Sequence, residues 1–266
     1  MSAADLAARA STLLFVPGDR PERFEKAAAA GADLVVLDLE DAVKPENKES
    51  ARENVARWAA EHECAVRVNA ADTQWHRQDV AALADTGAAI MVAKAENPRA
   101  LAAVGAHHAV IALVETAAGV LAAPAIAAAD GVVRIALGTF DLAAQLGVDP
   151  TDTEALAATR GGVVLASAAA GLGGPIDGVT AVIDDAERLG ADTGYARRLG
   201  FAGKLCIHPR QLGPVAAAFR PSEDEIAWAR KIVAAVDATG VAKVDGAMVD
   251  KPVVERAQRI LSRADA

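Results

Sequence analysis

Eight short apolar runs punctuate this chain at intervals of about 25–35 residues, and the stretches between them carry helical patterning. The runs fall at 12–16, 33–39, 64–69, 89–94, 109–114, 133–137, 175–177 and 203–207, the seventh being the weakest. A strand this short and this apolar is buried on both faces, the condition of a parallel sheet covered by helices. Eight alternating βα units in 266 residues predict an α/β chain folded as a (β/α)8 TIM barrel rather than an open doubly wound sheet. The turn after the first run, Pro17-Gly18-Asp19-Arg20-Pro21-Glu22, lacks the three glycines that cradle a dinucleotide.

Local signals place the helices. Asp19 reads as an N-cap with Pro21 in the first turn, and Gly31 as the stop of that helix. Asn97-Pro98 opens a later helix and Thr116 caps the next. Further helices are predicted at about 45–60, 75–85, 117–129, 153–170 and 180–199, with Trp58 on the apolar side of the first of these. The barrel is predicted over 1–221, with a C-terminal helical extension over 222–266 in which 244–252 reads as a loop between two helices.

Composition narrows the function. The chain is 53% hydrophobic, enough for a substantial core, yet only 3% aromatic and rich in alanine, so its helices pack closely through small side chains. A net charge of −9 argues against nucleic-acid binding, and an anionic ligand needs a local basic pocket. Cys64 and Cys206 sit in apolar strands, outside any metal-ligand spacing, and read as buried free thiols of a reducing compartment. With neither the pattern of a signal peptide nor an apolar run of about 20 residues, a cytoplasmic protein without a membrane span is expected.

Barrel enzymes carry their chemistry at the C-terminal ends of strands. The second run, Leu34-Val35-Val36-Leu37-Asp38-Leu39-Glu40-Asp41, ends in carboxylates that a core cannot hold unpaired; they face a cleft, cap the next helix or pair with arginines. The other ends offer Arg67 and Asn69, Lys94 and Glu96, Glu115, Asp141, Asp177 and His208. Glu115 and Asp141 end adjacent strands and together can hold a hard cation such as Mg2+, unless Glu115 pairs with Arg67 or Lys94. Arg67 is either a guanidinium aimed at an oxyanion or carboxylate, or the partner of Glu40 or Asp41, or both. Lys94 can alternatively be a Schiff-base lysine, and His208 a base or a backbone hydrogen-bonder.

Several segments in this order resemble the citrate lyase β subunit-like group of the HpcH/HpaI aldolase superfamily, over about 12–252. They are Phe15-Val16-Pro17-Gly18-Asp19-Arg20-Pro21, Leu37-Asp38-Leu39-Glu40-Asp41-Ala42-Val43, Arg67-Val68-Asn69, Leu113-Val114-Glu115-Thr116-Ala117-Ala118-Gly119, Lys204-Leu205-Cys206-Ile207-His208-Pro209 and Gly246-Ala247-Met248-Val249-Asp250-Lys251-Pro252. The resemblance implies a Mg2+-dependent carbon–carbon lyase acting on a β-hydroxyacyl-CoA thioester. It implies Glu115 and Asp141 as metal ligands and Arg67 as the grip on substrate oxygens, with Glu40, Asp41 and Lys94 completing the substrate site. It also implies that Arg20 and Arg23 meet coenzyme A, although Asp19 in the same loop works against an anion. Asp250 matches an aspartate that reaches into a neighbouring subunit's site, in a homo-oligomer of trimeric or hexameric type.

Two features depart from the family pattern. Phe140 stands where many relatives have Glu before the second metal ligand, and the chain is short for a citrate lyase β subunit, so it resembles stand-alone relatives more. The nearest rival is a class II aldolase acting on free hydroxy-oxo acids, but those relatives carry histidine where Asp41 stands. A non-catalytic CoA-thioester-binding protein is the other rival; the presence of Glu115, Asp141 and Arg67 counts against it.

Overall fold

The computed structural model describes residues 1–235, 242–244 and 247–264. The chain forms two compact units, Met1–Ala216 and Ala217–Ala266. The first unit runs α1 (Ala3–Arg9), β1 (Thr12–Pro17), α2 (Phe24–Ala28), β2 (Leu34–Asp38), α3 (Lys48–Ala59), β3 (Ala65–Val68), α4 (His76–Ala82) and β4 (Ala89–Val92). It continues α5 (Pro98–Gly105), β5 (Val110–Val114), α6 (Ala117–Ala127), β6 (Val132–Leu137), α7 (Thr139–Leu146), α8 (Ala157–Ala169), β7 (Ile176–Asp177), α9 (Ala186–Leu199) and β8 (Gly203–Cys206), and α10 (Leu212–Phe219) crosses from the first unit into the second.

The eight strands close into a barrel in sequence order, and β1 pairs in parallel with both β2 and β8. Alternate strand residues fill its interior: Leu13, Val36, Ala65, Met91, Ile111, Leu113, Ala136, Ile176 and Leu205 belong to one buried cluster. Helix α1 adds Ala3 and Ala7 to that cluster, so the lead-in segment is part of the core. Strands β2 and β5 are buried at every position, as their unbroken apolar runs require. No helix among the described residues is long and apolar enough to cross a membrane.

Several local expectations hold. Asn97 accepts from Arg99 N–H at 3.0 Å and Thr116 from Gly119 N–H at 3.0 Å, each capping its helix. Cys64 and Cys206 are free and buried, and burial pushes both thiols up to about 12. Trp58 does lie on the apolar side of its helix, half-buried, stacked on His62 and edge-on to the buried Phe24. Others need correction. Asp19 caps nothing; it accepts from Asn47 Nδ2 at 3.0 Å, and Pro21 opens a 3₁₀ turn before the short α2. An unforeseen helix, α7, follows β6 at once, so Asp141 lies in a helical first turn instead of at a strand end. Helix α9 starts at Ala186, later than expected, where Asp185 accepts from Arg188 N–H at 2.8 Å.

The second unit contains α11 (Glu223–Ala235), β9 (Ala242–Val244), β10 (Ala247–Val249) and α12 (Lys251–Ala264). The expected loop at 244–252 is instead largely an antiparallel pairing of β9 with β10, running into α12. Pairing lets Val244 and Val249 join Ala229, Ile232 and Ala257 in one small core. Asp245 and Gly246 lie outside the described residues.

Candidate active site

Lys94 is the hub of the barrel's mouth. Its ammonium bonds to Glu40 Oε1 and lies 3.7 Å from Asp141 Oδ2 and 3.9 Å from Asp41 Oδ2. Its backbone N–H donates to Glu115 Oε1 at 2.8 Å. That arrangement holds Lys94 at φ 46°, left-handed for a residue with a side chain. Such strain gathers at functional sites, where surrounding contacts over-determine the backbone. Four elements thus converge: the ends of β2 and β4, the end of β5, and the first turn of α7.

Arg67, on β3, stands beside them. Its Nε and Nη2 each donate to Asp38 at 2.7 Å, a two-point grip that fixes the guanidinium plane. The guanidinium also lies 4.7 Å above the Phe15 ring centroid. Nη1 is 3.1 Å from Glu40 Oε2, yet that contact lacks hydrogen-bond geometry and Oε2 has no hydrogen-bond partner. The sequence pointed to Glu40 or Asp41 as the partner of Arg67; Asp38, buried to 2% exposure, is the principal one.

Glu115 owes its position to a glycine. A Cβ on Gly138 would lie 2.5 Å from Glu115 Oε2, so no larger residue fits there without displacing the carboxylate. Gly138 is also the N-cap of α7 and offers no side chain to its first turn. The N–H groups of that turn therefore remain for water or a ligand, and Asp141 sits among them, where a helix N-terminus favours negative charge. A Gly before a helix at a barrel mouth is the sequence signal that could have found this.

The electrostatics follow from burial and crowding. Burial, then the charge of Glu40, with Asp141 adding to it, pushes Glu115 up to about 7; the Lys94 N–H and Arg67 oppose this. Burial likewise raises Glu40, against the pull of Arg67 and Lys94. Burial by itself would lower the Lys94 amine, but Glu40, Glu115 and Asp41 outweigh it and hold it above the usual lysine range. A Schiff-base lysine requires the opposite shift, which, with the ammonium engaged by Glu40, counts against that alternative for Lys94.

Behind the mouth lies a network that the sequence reading missed. Lys48 Nζ is buried and donates to Leu39 O (2.6 Å), Glu40 O (2.8 Å) and Asn69 Oδ1 (2.7 Å). Asn69 donates back to Leu39 O and to Asp79, which also receives Arg52 Nε at 2.9 Å. This network pins the chain where β2 ends and so aims Glu40. Lys48 showed no strand-end signal, because it comes from the helix that follows.

Not every strand-end residue joins the mouth. Asn69 belongs to the buried network, and exposed Glu96 accepts from Thr116 Oγ1 at 2.7 Å. His208 Nδ1 accepts from Arg210 N–H at 3.1 Å, the backbone role allowed for it. Asp177 is turned away from the lumen and bonded to Lys204 and Arg160. Arg20 and Arg23 are exposed and lie 3.9 and 4.0 Å from the acids Asp19 and Glu22. Asp250 belongs to the second unit, exposed, its Oδ1 near the Val253 N–H of α12 at 3.4 Å.

The residues present suit a hard cation. Among the described residues no group of three His, Cys, Asp or Glu side chains is set to hold a metal unaided. Mg2+ does not require one, since it often takes one or two carboxylates and fills its octahedron with waters and substrate oxygens. The charge of Asp141 reaches Glu115 and helps to raise it; a dication held by these two acids would offset that repulsion.

Comparison with known proteins agrees with the barrel fold. A family model described as HpcH/HpaI aldolase/citrate lyase matches residues 11–209, and one described as a C-C bond lyase of the TIM-barrel fold matches residues 179–266. A citrate lyase subunit beta-like protein of Mycobacterium tuberculosis is 40% identical over 260 residues, covering 94% of each chain. A (3S)-malyl-CoA thioesterase of Cereibacter sphaeroides is 37% identical over 270 residues, covering 96% of this chain and 94% of its own. The crystal structure of protein CitE from Mycobacterium tuberculosis, in complex with magnesium, acetoacetate and coenzyme A, matches with a TM-score of 0.87 at 39% identity, covering 98% of this chain and 100% of the other.

Proposed function

The chain belongs to the HpcH/HpaI aldolase/citrate lyase family and is a carbon–carbon lyase, and from that premise we propose a Mg2+-dependent cleavage, or formation, of a β-hydroxyacyl-CoA thioester of the citramalyl, malyl or citryl type. The products of cleavage are acetyl-CoA and a 2-oxo acid. The observation that carries this reading is the cluster in which Lys94 links Glu40, Asp41 and Asp141 while its N–H holds Glu115, beside a guanidinium locked by Asp38. Relatives with magnesium and coenzyme A bound support the cofactor and the thioester.

Cleavage removes the β-hydroxyl proton, breaks the Cα–Cβ bond and leaves its electron pair in a thioester enolate, which then takes a proton at Cα. Bound Mg2+ supplies a Lewis acid and a template for the oxo acid's oxygens. Glu115 and Asp141 hold the ion. Arg67 stabilises negative oxygen as it develops, and its grip on Asp38 means it need not reorganise to do so. The uncapped first turn of α7 orients the oxo acid's carboxylate. Glu40, Asp41 and Lys94 set the charge of the substrate site, and Arg20 and Arg23 meet the phosphates of coenzyme A.

The same proposal places the protein in the cytoplasm, where its buried thiols stay reduced. It makes 222–266 an extension that packs on a neighbouring subunit of a trimer or hexamer, with Asp250 moving the proton at Cα. Mixing Asp250→Ala with Glu115→Ala protomers, each inactive, should restore activity; no recovery despite proven subunit exchange would place the whole site within one chain.

The deciding experiment incubates a panel of acyl-CoA thioesters with protein and Mg2+ and identifies products by mass. One thioester should yield acetyl-CoA and a 2-oxo acid. The thioesterase relative favours a second reading, hydrolysis, which would appear as free coenzyme A and an intact hydroxy acid. No product from any thioester would sink both.

A further inference from the structure

A second concentration of charge lies outside the lumen, between the barrel wall and helices α8 and α9. Ile176 and Leu205 belong to the lumen core, so their neighbours Asp177 and Lys204 face the helices. Lys204 Nζ donates to Asp177 Oδ2 at 2.9 Å and Gly178 O at 2.7 Å, and Arg160 Nε donates to Asp177 Oδ1 at 3.2 Å. Arg160 is 8% exposed, Asp177 1% and Lys204 1%. Two buried cations therefore share one carboxylate, leaving one positive charge in excess. Arg160 Nη1 is buried and has no hydrogen-bond partner. The other acid nearby, Asp192, is committed to Arg188 at 2.9 Å and Thr180 Oγ1 at 2.8 Å.

A cleft adjoins this cluster, lined by Arg160, Arg188 and Lys204, by the acids Asp177 and Asp192, and by Thr153 together with the first turn of α7 and the segment 179–182 that follows β7. We propose that this cleft binds a small oxyanion, a phosphate or carboxylate group, which supplies the negative charge that Arg160, Asp177 and Lys204 lack. A buried charge without a counter-charge is costly, and a guanidinium with a free edge matches an oxyanion better than it matches water. Thr139 and Phe140 also share the first turn of α7 with Asp141, so an occupant touches the turn that carries a candidate metal ligand. The inference stands on the cluster and the cleft, independently of what the mouth does.

The test titrates the full-length protein with inorganic phosphate, in chelator to keep metal out of the mouth and at constant ionic strength. Phosphate should raise the melting temperature saturably where the same ionic strength of chloride does not. Arg160→Gln should lose this response. Thr153→Glu brings a carboxylate to the cleft; it should raise the melting temperature without phosphate and abolish the response to it, which decides the matter if Arg160→Gln fails to fold. Arg20→Gln/Arg23→Gln should keep the response. A chloride effect equal to that of phosphate, a response surviving in Thr153→Glu, or one lost in the Arg20/Arg23 variant would each overturn the proposal. Repeating the titration with coenzyme A separates sources: a coenzyme A response that vanishes in Arg160→Gln assigns the cleft to a phosphate of that molecule, and one that persists assigns it to a free oxyanion.

Discussion

At the mouth of the barrel five carboxylates, Asp38, Glu40, Asp41, Glu115 and Asp141, surround two cations, Arg67 and Lys94. Behind β7 the balance reverses, with Arg160 and Lys204 sharing Asp177. Both clusters are built from strand ends and the helices beside them, yet their imbalances carry opposite signs. The mouth holds an acid excess partly open to solvent, Asp141 being 41% and Asp41 62% exposed at the side chain. The rear cluster is sealed to a few per cent. An acid excess beside a cleft is a place for a metal and for charge that moves during a reaction; a sealed pair of cations on one acid is first of all a structural joint, finished by whatever anion enters the cleft.

The largest effect should come from removing the metal. Thorough chelation should abolish turnover and Mg2+ should restore it, because the acids of the mouth outnumber the cations beside them and a dication would supply the missing charge and the Lewis acid. The rear cluster should not notice, so the phosphate response described above should survive chelation. Full lyase activity in the metal-free protein would break the contrast, since the acid excess would then need another explanation.

Arg67 sharpens it next. Arg67→Ala is a poor probe, because it takes from Asp38, 2% exposed, the cation that bonds both its oxygens and leaves only the N–H groups of Glu40 and Ala42 to hold the buried charge, at a cost of at most about 3–5 kcal/mol of stability. Arg67→Lys keeps the charge and gives up the two-point grip. Turnover should fall by about 10²–10³-fold, the usual loss for one oxyanion donor, with far-ultraviolet circular dichroism unchanged. A near-normal rate would remove the guanidinium from the chemistry and leave the mouth as structural as the rear cluster.

What the sequence made legible follows the same division. The barrel could be read because strands buried on both faces leave no alternative to unbroken apolar runs, as in Leu34–Leu37 and Val110–Val114. Arg67 and Glu115 could be read because a charge ending such a run must have a purpose. What escaped was anything set by direction rather than by position. Asp177 looked like one more mouth acid, yet in a two-residue strand a single step of the pleat turns it to the helices. Asp141 read as a strand end because Gly138-Thr139-Phe140 gave no helix signal, and α7 has no side-chain cap to provide one. Lys48 escaped because its role lies in contacts such as that to Asn69, 21 residues away, and which arginine Asp38 takes, 29 residues away, is likewise recorded by no local pattern.

The last contrast separates the two regions by sign. Asp177→Asn preserves shape but leaves Arg160 and Lys204 facing each other without an anion, so it should lower unfolding free energy by about 3–5 kcal/mol. Activity per folded molecule should be little changed, because Asp177 points away from the lumen. Asp141→Asn removes a half-exposed acid that repels Glu115, so its stability should stay within about 0.5 kcal/mol of the parent or rise, while Mg2+-dependent turnover collapses. Chemical denaturation of the two variants beside the parent, with activity normalised to folded protein, reads both quantities. If Asp141→Asn proved the less stable and Asp177→Asn the less active, the roles assigned to the two clusters would have to be exchanged.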